Sequence, residues 1–245
     1  MKLSISAAIA IACALWLEGR SMAAKENPGT SPVVVELFTS QGCSSCPAAD
    51  ELVHKLAGEQ SVVIPLAFHV DYWNYLGWSD PFSSKSWTQR QMMYVSTFRL
   101  PSAYTPQAVV NGNVQMVGSD ERALRARIHE ESMRAAEANV ALVANGDRVH
   151  VTASSKHPHL DLVLAIVEDG NLTPVARGEN SGRSLRNDFV VRTVRRVGTL
   201  DKGSFDGDVP LQVDASWKGH PLRVVAFAQD RDTLRIYGAA STAIR

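Results

Sequence analysis

An apolar run that stops at a glycine and is followed at once by two cysteines constrains this chain more than any other stretch. It reads Val33-Val-Val-Glu-Leu-Phe-Thr-Ser-Gln-Gly-Cys43-Ser-Ser-Cys46-Pro47. Val33 to Phe38 is apolar except for Glu36, the pattern of a strand buried on both faces. Ala48 to Ala57 has helical spacing, opens with Asp50, Glu51, Leu52 and Val53, and stops before Gly58. A second apolar run, Val62 to Phe68, reads as a buried strand, with Pro65 predicting an irregularity or an edge position. Two such strands joined by a helix make a right-handed parallel βαβ unit.

The ends of the chain decide how the cysteines are to be read. Lys2 precedes a mostly apolar run from Leu3 to Leu17, and Ser21-Met-Ala23 supplies the small-x-small pattern of a cleaved leader. The run is shorter than the roughly 20 residues needed to cross a bilayer. Residues 1–23 therefore read as a signal peptide, and the rest as exported, periplasmic or secreted, with no later membrane span. Of three cysteines, Cys13 leaves with the leader, so the mature chain keeps Cys43 and Cys46 alone. Structural disulfides of exported proteins normally join distant segments, and so small a loop constrains the unfolded chain weakly. The pair looks like a site more than a staple. The whole chain carries 25 basic and 25 acidic residues. The leader takes Lys2, Arg20 and Glu18 with it, leaving one net negative charge, and no basic excess points to nucleic acid.

Further along, His69-Val-Asp71-Tyr-Trp73-Asn-Tyr-Leu-Gly77-Trp78-Ser-Asp80-Pro81 is dense in aromatics. Ser83 to Leu100 reads as a helix ending before Pro101. Ala108 to Val110 and Val114 to Val117 are joined by Asn111-Gly112 as a two-residue hairpin turn. Ser119 is expected to cap a helix running to about Ala138, with Asp120 and Glu121 in its first turn. After Asn139 the texture becomes short strands with polar turns: Val140–Val143, Val149–Ala153, Leu160–Val167, Phe189–Val194, Val209–Val213, Leu222–Ala228 and Leu234–Tyr237. The predicted organisation is an α/β domain over 24–138, ordered β-α-β-α-β-β-α, and an antiparallel β unit over 139–245, sandwich-like by strand pattern.

That first order, with a cysteine pair at the first strand-to-helix turn, resembles the thioredoxin fold. The chain is also similar to a family of secreted thioredoxin-like proteins whose function is formally unknown. The residues that carry this are Glu36 to Pro47, His69 to Trp73, Gly77-Trp78, Asp80 to Phe82, Thr88 to Gln91 and Tyr104 to Gln107. Val110 to Gly112, Val117 to Asp120 and Arg177-Gly-Glu-Asn-Ser-Gly-Arg183 extend the match into the β unit. The resemblance implies that Pro106 is a cis-proline facing the cysteine pair, with the Thr105 backbone free to pair with an extended substrate and its hydroxyl near the sulfurs.

The residues themselves suggest a chemistry. A thiol at the first turn of a helix faces unpaired N–H groups and the positive end of the macrodipole, which favour thiolate. Cys43, outermost, is expected to attack or receive a disulfide, and Cys46 to resolve it. Pro47 suits the first helical position, where its missing N–H has no partner. His69, at the same sheet edge, either stabilises the thiolate with Asp71 orienting it, or is a strand-end histidine satisfied by a carbonyl. Glu36 either lies below the cysteines and accepts the proton of Cys46 or faces outward at an edge. The aromatics read either as core and lid packing or as the rim of a peptide groove.

The leading expectation is thus a thiol–disulfide oxidoreductase acting on exported protein thiols or disulfides, together with a redox partner protein and no cofactor. Two alternatives stay open. One is a copper chaperone using Cys43, Cys46 and His69; the other is a non-catalytic assembly protein that keeps the fold. A zinc site made only of thiolates would need a second cysteine pair. Arg177 to Arg183 is a charged loop, either between domains or at a ligand.

Overall fold

The computed structural model describes residues 31–56, 58, 62–217 and 219–244. The expected signal peptide, and Cys13 with it, lies outside the described residues. No helix among the described residues is long and apolar enough to cross a membrane.

The first half contributes β1 (Val33–Thr39), α1 (Pro47–Leu56), β2 (Val63–His69), α2 (Lys85–Thr97), β3 (Gln107–Val110), β4 (Val114–Val117) and α3 (Glu121–Ser132). The second contributes β5 (Ala138–Asn145), β6 (Arg148–Ser155), β7 (Leu160–Glu168), β8 (Asn171–Pro174), β9 (Ser184–Asn187), β10 (Val190–Thr199), β11 (Ser204–Pro210), β12 (Leu222–Asp230) and β13 (Ile236–Ile244). The architecture is α/β: a large mixed sheet, few helices and two smaller antiparallel sheets. The large sheet has eight strands in the order β13-β12-β7-β10-β2-β1-β3-β4. Strands β11-β6-β5 form a second sheet, and β8-β9 a hairpin.

Strand β1 runs parallel to β2 and antiparallel to β3. The two halves meet where β10 lies parallel to β2 through the single pair Val190 and Ala67, with the Ala67 N–H donating to the Phe189 carbonyl at 2.8 Å. This explains Pro65. Its nitrogen points to the same side as that of Ala67, but the β10 pairing does not reach it, so no ladder donor is lost.

Alternation along the strands assigns the two faces of the sheet. On one, Val34, Phe38, Ile64, Leu66 and Phe68 pack with Trp87 and Tyr94 of α2, and the same core continues into Val163, Val167, Val225 and Phe227. On the other, Val33, Val35 and Val63 pack with Leu52 and Leu56 of α1 and with Leu124 and Ile128 of α3. Beneath the second half of the sheet, Leu162, Leu164, Ile166 and Val224 meet Val149, Val151 and Ala153 of the three-stranded sheet. Burying side chains this large is worth about 1.5–3 kcal/mol each, enough to outweigh local preferences in several places.

Those places are where the sequence expectations shift. The cap of α3 is Asp120, not Ser119, its carboxylate accepting from the Ala123 N–H at 3.0 Å. The helix stops at Ser132 rather than near Ala138, because Ala138 is drawn into the second core as the start of β5. Asn111 and Gly112 do adopt positive φ, 48° and 61°, but Asn113 joins them in a three-residue connection, since Val110 pairs with Val114. Gly112 is required there: a side chain would collide with the Leu234 carbonyl. Leu234 sits in a turn with positive φ, so β13 begins only at Ile236. The β8-β9 hairpin was not anticipated at all.

Candidate functional site

Strand β1 ends at Thr39 and the chain turns sharply, the Cys43 N–H donating to the Ser40 carbonyl at 3.1 Å and the Cys46 N–H to the Cys43 carbonyl at 3.2 Å. The Cys46 carbonyl then accepts from the N–H groups of Ala49 and Asp50, so α1 grows directly from the second cysteine. Pro47 occupies the first helical position as expected. The two cysteines stand at disulfide distance, with Cα atoms 5.5 Å apart, and neither has any exposed surface. Cys43 Sγ lies 3.3 Å from Ser45 Oγ and 4.0 Å from the Thr105 carbonyl oxygen. The Thr105–Pro106 bond is cis. The Thr105 hydroxyl is occupied, accepting from the Trp73 indole N–H at 2.8 Å.

A buried acid–base group lies on the α1 face of the sheet beside this turn. His69 Nδ1 is 2.7 Å from Asp80 Oδ2. The same Asp80 oxygen accepts the Gln41 N–H at 2.8 Å, and its other oxygen the Phe82 N–H at 2.9 Å. Asp80 thus ties the histidine to the backbone of the cysteine turn. Thr39, paired with His69 across the strands, donates its hydroxyl to Asp50 at 2.8 Å. Burial raises the Asp50 pKa to about 6, against the opposing pull of His69 and the Thr39 hydroxyl. Burial also works against charge on His69, but the Asp80 carboxylate beside it and that of Asp50 outweigh it and raise its pKa. Burial presses Asp80 upward, yet His69 and two N–H donors hold it below the usual carboxylate range. His69 Nε2 is buried with no hydrogen-bond partner among the described residues.

Two expected site residues fall elsewhere. Glu36 does not lie below the cysteines. Its neighbours Val35 and Leu37 face α1, so period two turns Glu36 toward α2, where Arg90 grips both oxygens at 2.5 and 2.9 Å and the Tyr94 hydroxyl donates at 2.6 Å. Asp71 does not orient His69; it accepts from the Thr88 hydroxyl at 2.6 Å, and Asp80 takes the expected role. Asp50 is the carboxylate that shares the cysteine face. It follows Cys46 by four residues, the spacing that puts two side chains on one side of a helix, and that signal was available in the sequence.

The aromatic cluster divides. Trp87 is core, Tyr72 and Trp73 pack partly against it, and the Phe82 ring meets His69 edge-on at 5.3 Å. The Trp78 indole donates to Gln41 Oε1 at 3.1 Å, while Tyr75 is 79% exposed.

The loop from Arg177 to Arg183, between β8 and β9, reaches the cysteine turn from the other half of the molecule. Asn180 Nδ2 donates to the carbonyls of Gln41 and Cys43, both at 2.9 Å, and Glu179 Oε2 accepts the Ser44 N–H at 2.9 Å. Gln41 Nε2 also donates to Asn187 Oδ1 at 2.7 Å. Gln41, Asn180 and Asn187 were not legible as site residues. Among the described residues, no group of three or more His, Cys, Asp or Glu side chains is arranged to hold a metal ion.

Fold and site together define a mixed α/β protein whose buried cysteine pair begins a helix and adjoins a carboxylate–histidine group. The chain belongs to the family described as protein of unknown function (DUF1223), which matches residues 34–229. It is similar to a protein from Agrobacterium tumefaciens of known crystal structure, 32% identical, covering 86% of this chain and 94% of that one with a TM-score of 0.73. Among curated proteins nothing matches.

Proposed function

We propose that this protein is an exported thiol–disulfide oxidoreductase of thioredoxin-like fold, acting on exported protein thiols or disulfides once its leader is removed. The order β2-β1-β3-β4, with α1 and α3 on one face and α2 on the other, supports the fold reading. One observation carries the function: a cysteine pair at disulfide distance, at the start of a helix, with a buried carboxyl of pKa about 6 one turn behind Cys46.

In the reducing direction, the Cys43 thiolate attacks a substrate disulfide RSSR′, forming Cys43–S–S–R and releasing R′S⁻. Cys46 gives its proton to the Asp50 carboxylate and attacks the Cys43 sulfur. That releases RS⁻ and leaves the Cys43–Cys46 disulfide, so two electrons have passed to the substrate. The oxidising direction is the reverse. Asp50, near neutrality, can hold or release that proton at physiological pH. His69, held by Asp80 and with its pKa raised by the two carboxylates, opposes the cost of a thiolate at the turn whenever it is protonated.

The test is Cys46→Ala in the full chain under native expression. Reductant-sensitive adducts through Cys43 are expected on non-reducing gels, and titration of the wild-type couple against glutathione reads the potential and hence the direction. No adducts, together with a pair that never exchanges with glutathione, would sink the reading.

A further inference from the structure

We propose that Glu179 and Asn180 form a latch on the cysteine turn and select an extended polypeptide over a small anionic thiol as the partner of Cys43; this rests on the redox reading above. Asn180 is almost fully buried and its carboxamide is completely used: Nδ2 on the carbonyls of Gln41 and Cys43, Oδ1 taking the Arg183 guanidinium at 2.8 Å. Glu179 holds the next backbone group, the Ser44 N–H. Gly178, at φ 77°, lets the loop lie against Trp78. The backbone is therefore fastened on both sides of Cys43 while its sulfur has no exposed surface. The sulfur cannot turn outward for in-line attack until the three hydrogen bonds to the turn let go.

What replaces the latch must satisfy the groups it leaves. The Gln41 carbonyl then lacks a donor, the Cys43 carbonyl keeps only the Cys46 N–H, and the Ser44 N–H lacks an acceptor. An extended polypeptide presents both donors and acceptors on its main chain. A small thiol has no main chain that could meet all of these groups at once, and an anionic one also meets the Glu179 carboxylate.

The experiment measures reduction of the disulfide form of the full chain, in which two RSH become RSSR and the protein gains the dithiol. Three reductants are compared at equal thiolate concentration: neutral 2-mercaptoethanol, anionic mercaptopropionate and an unstructured cysteine peptide. Wild type should react fastest with the peptide. Asn180→Ala should accelerate both small thiols about tenfold by removing two hydrogen bonds and close their gap to the peptide. Glu179→Gln keeps the acceptor and loses the charge. It should speed mercaptopropionate about threefold at low salt, leave 2-mercaptoethanol unchanged, and lose its effect near 1 M salt.

Equal rates for wild type and a folded Asn180→Ala with all three reagents overturn the latch and leave the redox reading standing. A disulfide that resists every reagent even in folded Asn180→Ala overturns the redox reading itself. Should Asn180→Ala not fold, the exposed Glu179→Gln and the peptide preference of wild type decide, and absence of both overturns the latch.

Discussion

Two buried carboxylates flank the central strand, one on each face, and they are treated in opposite ways. On the α2 face Glu36 is enclosed by a bidentate arginine and a tyrosine hydroxyl, with Gln229 joining Arg90 from β12 at 3.2 Å. The arginine is itself sandwiched among the rings of Phe68, Tyr94 and Phe227. On the α1 face Asp50 has a threonine hydroxyl as its hydrogen-bond partner, and its charge stays costly enough to lift its pKa to about 6. A carboxylate whose burial is offset is part of the scaffold. One whose burial is left partly unoffset is poised to exchange a proton.

The comparison is sharpest in stability. Arg90→Ala strands a buried Glu36 and should cost about 3–5 kcal/mol in urea unfolding at pH 7, while the folded fraction exchanges with glutathione at the wild-type rate. A loss under about 1 kcal/mol would break the contrast.

Asp50→Asn should do the opposite. Folding raises the Asp50 pKa from 3.8 to about 6, so within that window the folded chain holds a proton the unfolded chain has released. Stability therefore falls as pH rises through it, and the full penalty persists above. The variant should match wild type below about pH 4 and exceed it by about 3 kcal/mol at pH 8, while its resolving step slows. Gain at both pH values would mean the charge is not the cause.

Thr39→Val removes the hydroxyl that partly compensates Asp50. It should cost about 1 kcal/mol above pH 6 and less below, where the acid is neutral, with the Asp50 pKa driven further up by NMR titration. Smallest of all, Glu130→Gln loosens exposed pairs to Arg127 and Arg134 and should move stability by less than about 1 kcal/mol, since water already screens them.

Most of the first half was legible from its letters. The apolar runs placed β1 and β2, the cysteine spacing placed the head of α1, and Asn111-Gly112 placed a turn. Glu36 was misassigned because a strand buried on both faces loses the alternation that would say which way each side chain points. Only the positions of α1 and α2 resolve it, and those are tertiary facts. Asp80 was quoted as part of an Asp-Pro pair, but nothing local says that its carboxylate reaches back to His69 and Gln41. Asn180 stands 137 residues beyond Cys43, past the reach of any spacing rule. Strand β13 was legible only at its start, within Leu234–Tyr237, for another reason: Gly238, Ala239, Ala240 and Ser241 carry little strand preference of their own, and pairing with β12 supplies what the sequence lacks.

The distance between the latch and the turn it closes also sets an order of events. The chain is made from its amino end, and 137 residues separate Cys43 from Asn180. At ordinary elongation rates the cysteines emerge on the order of ten seconds before the loop that will cover them. During that interval the turn lacks the three hydrogen bonds that Glu179 and Asn180 later supply. The cysteine turn is thus made well before Glu179 and Asn180, the side chains whose hydrogen bonds fasten it.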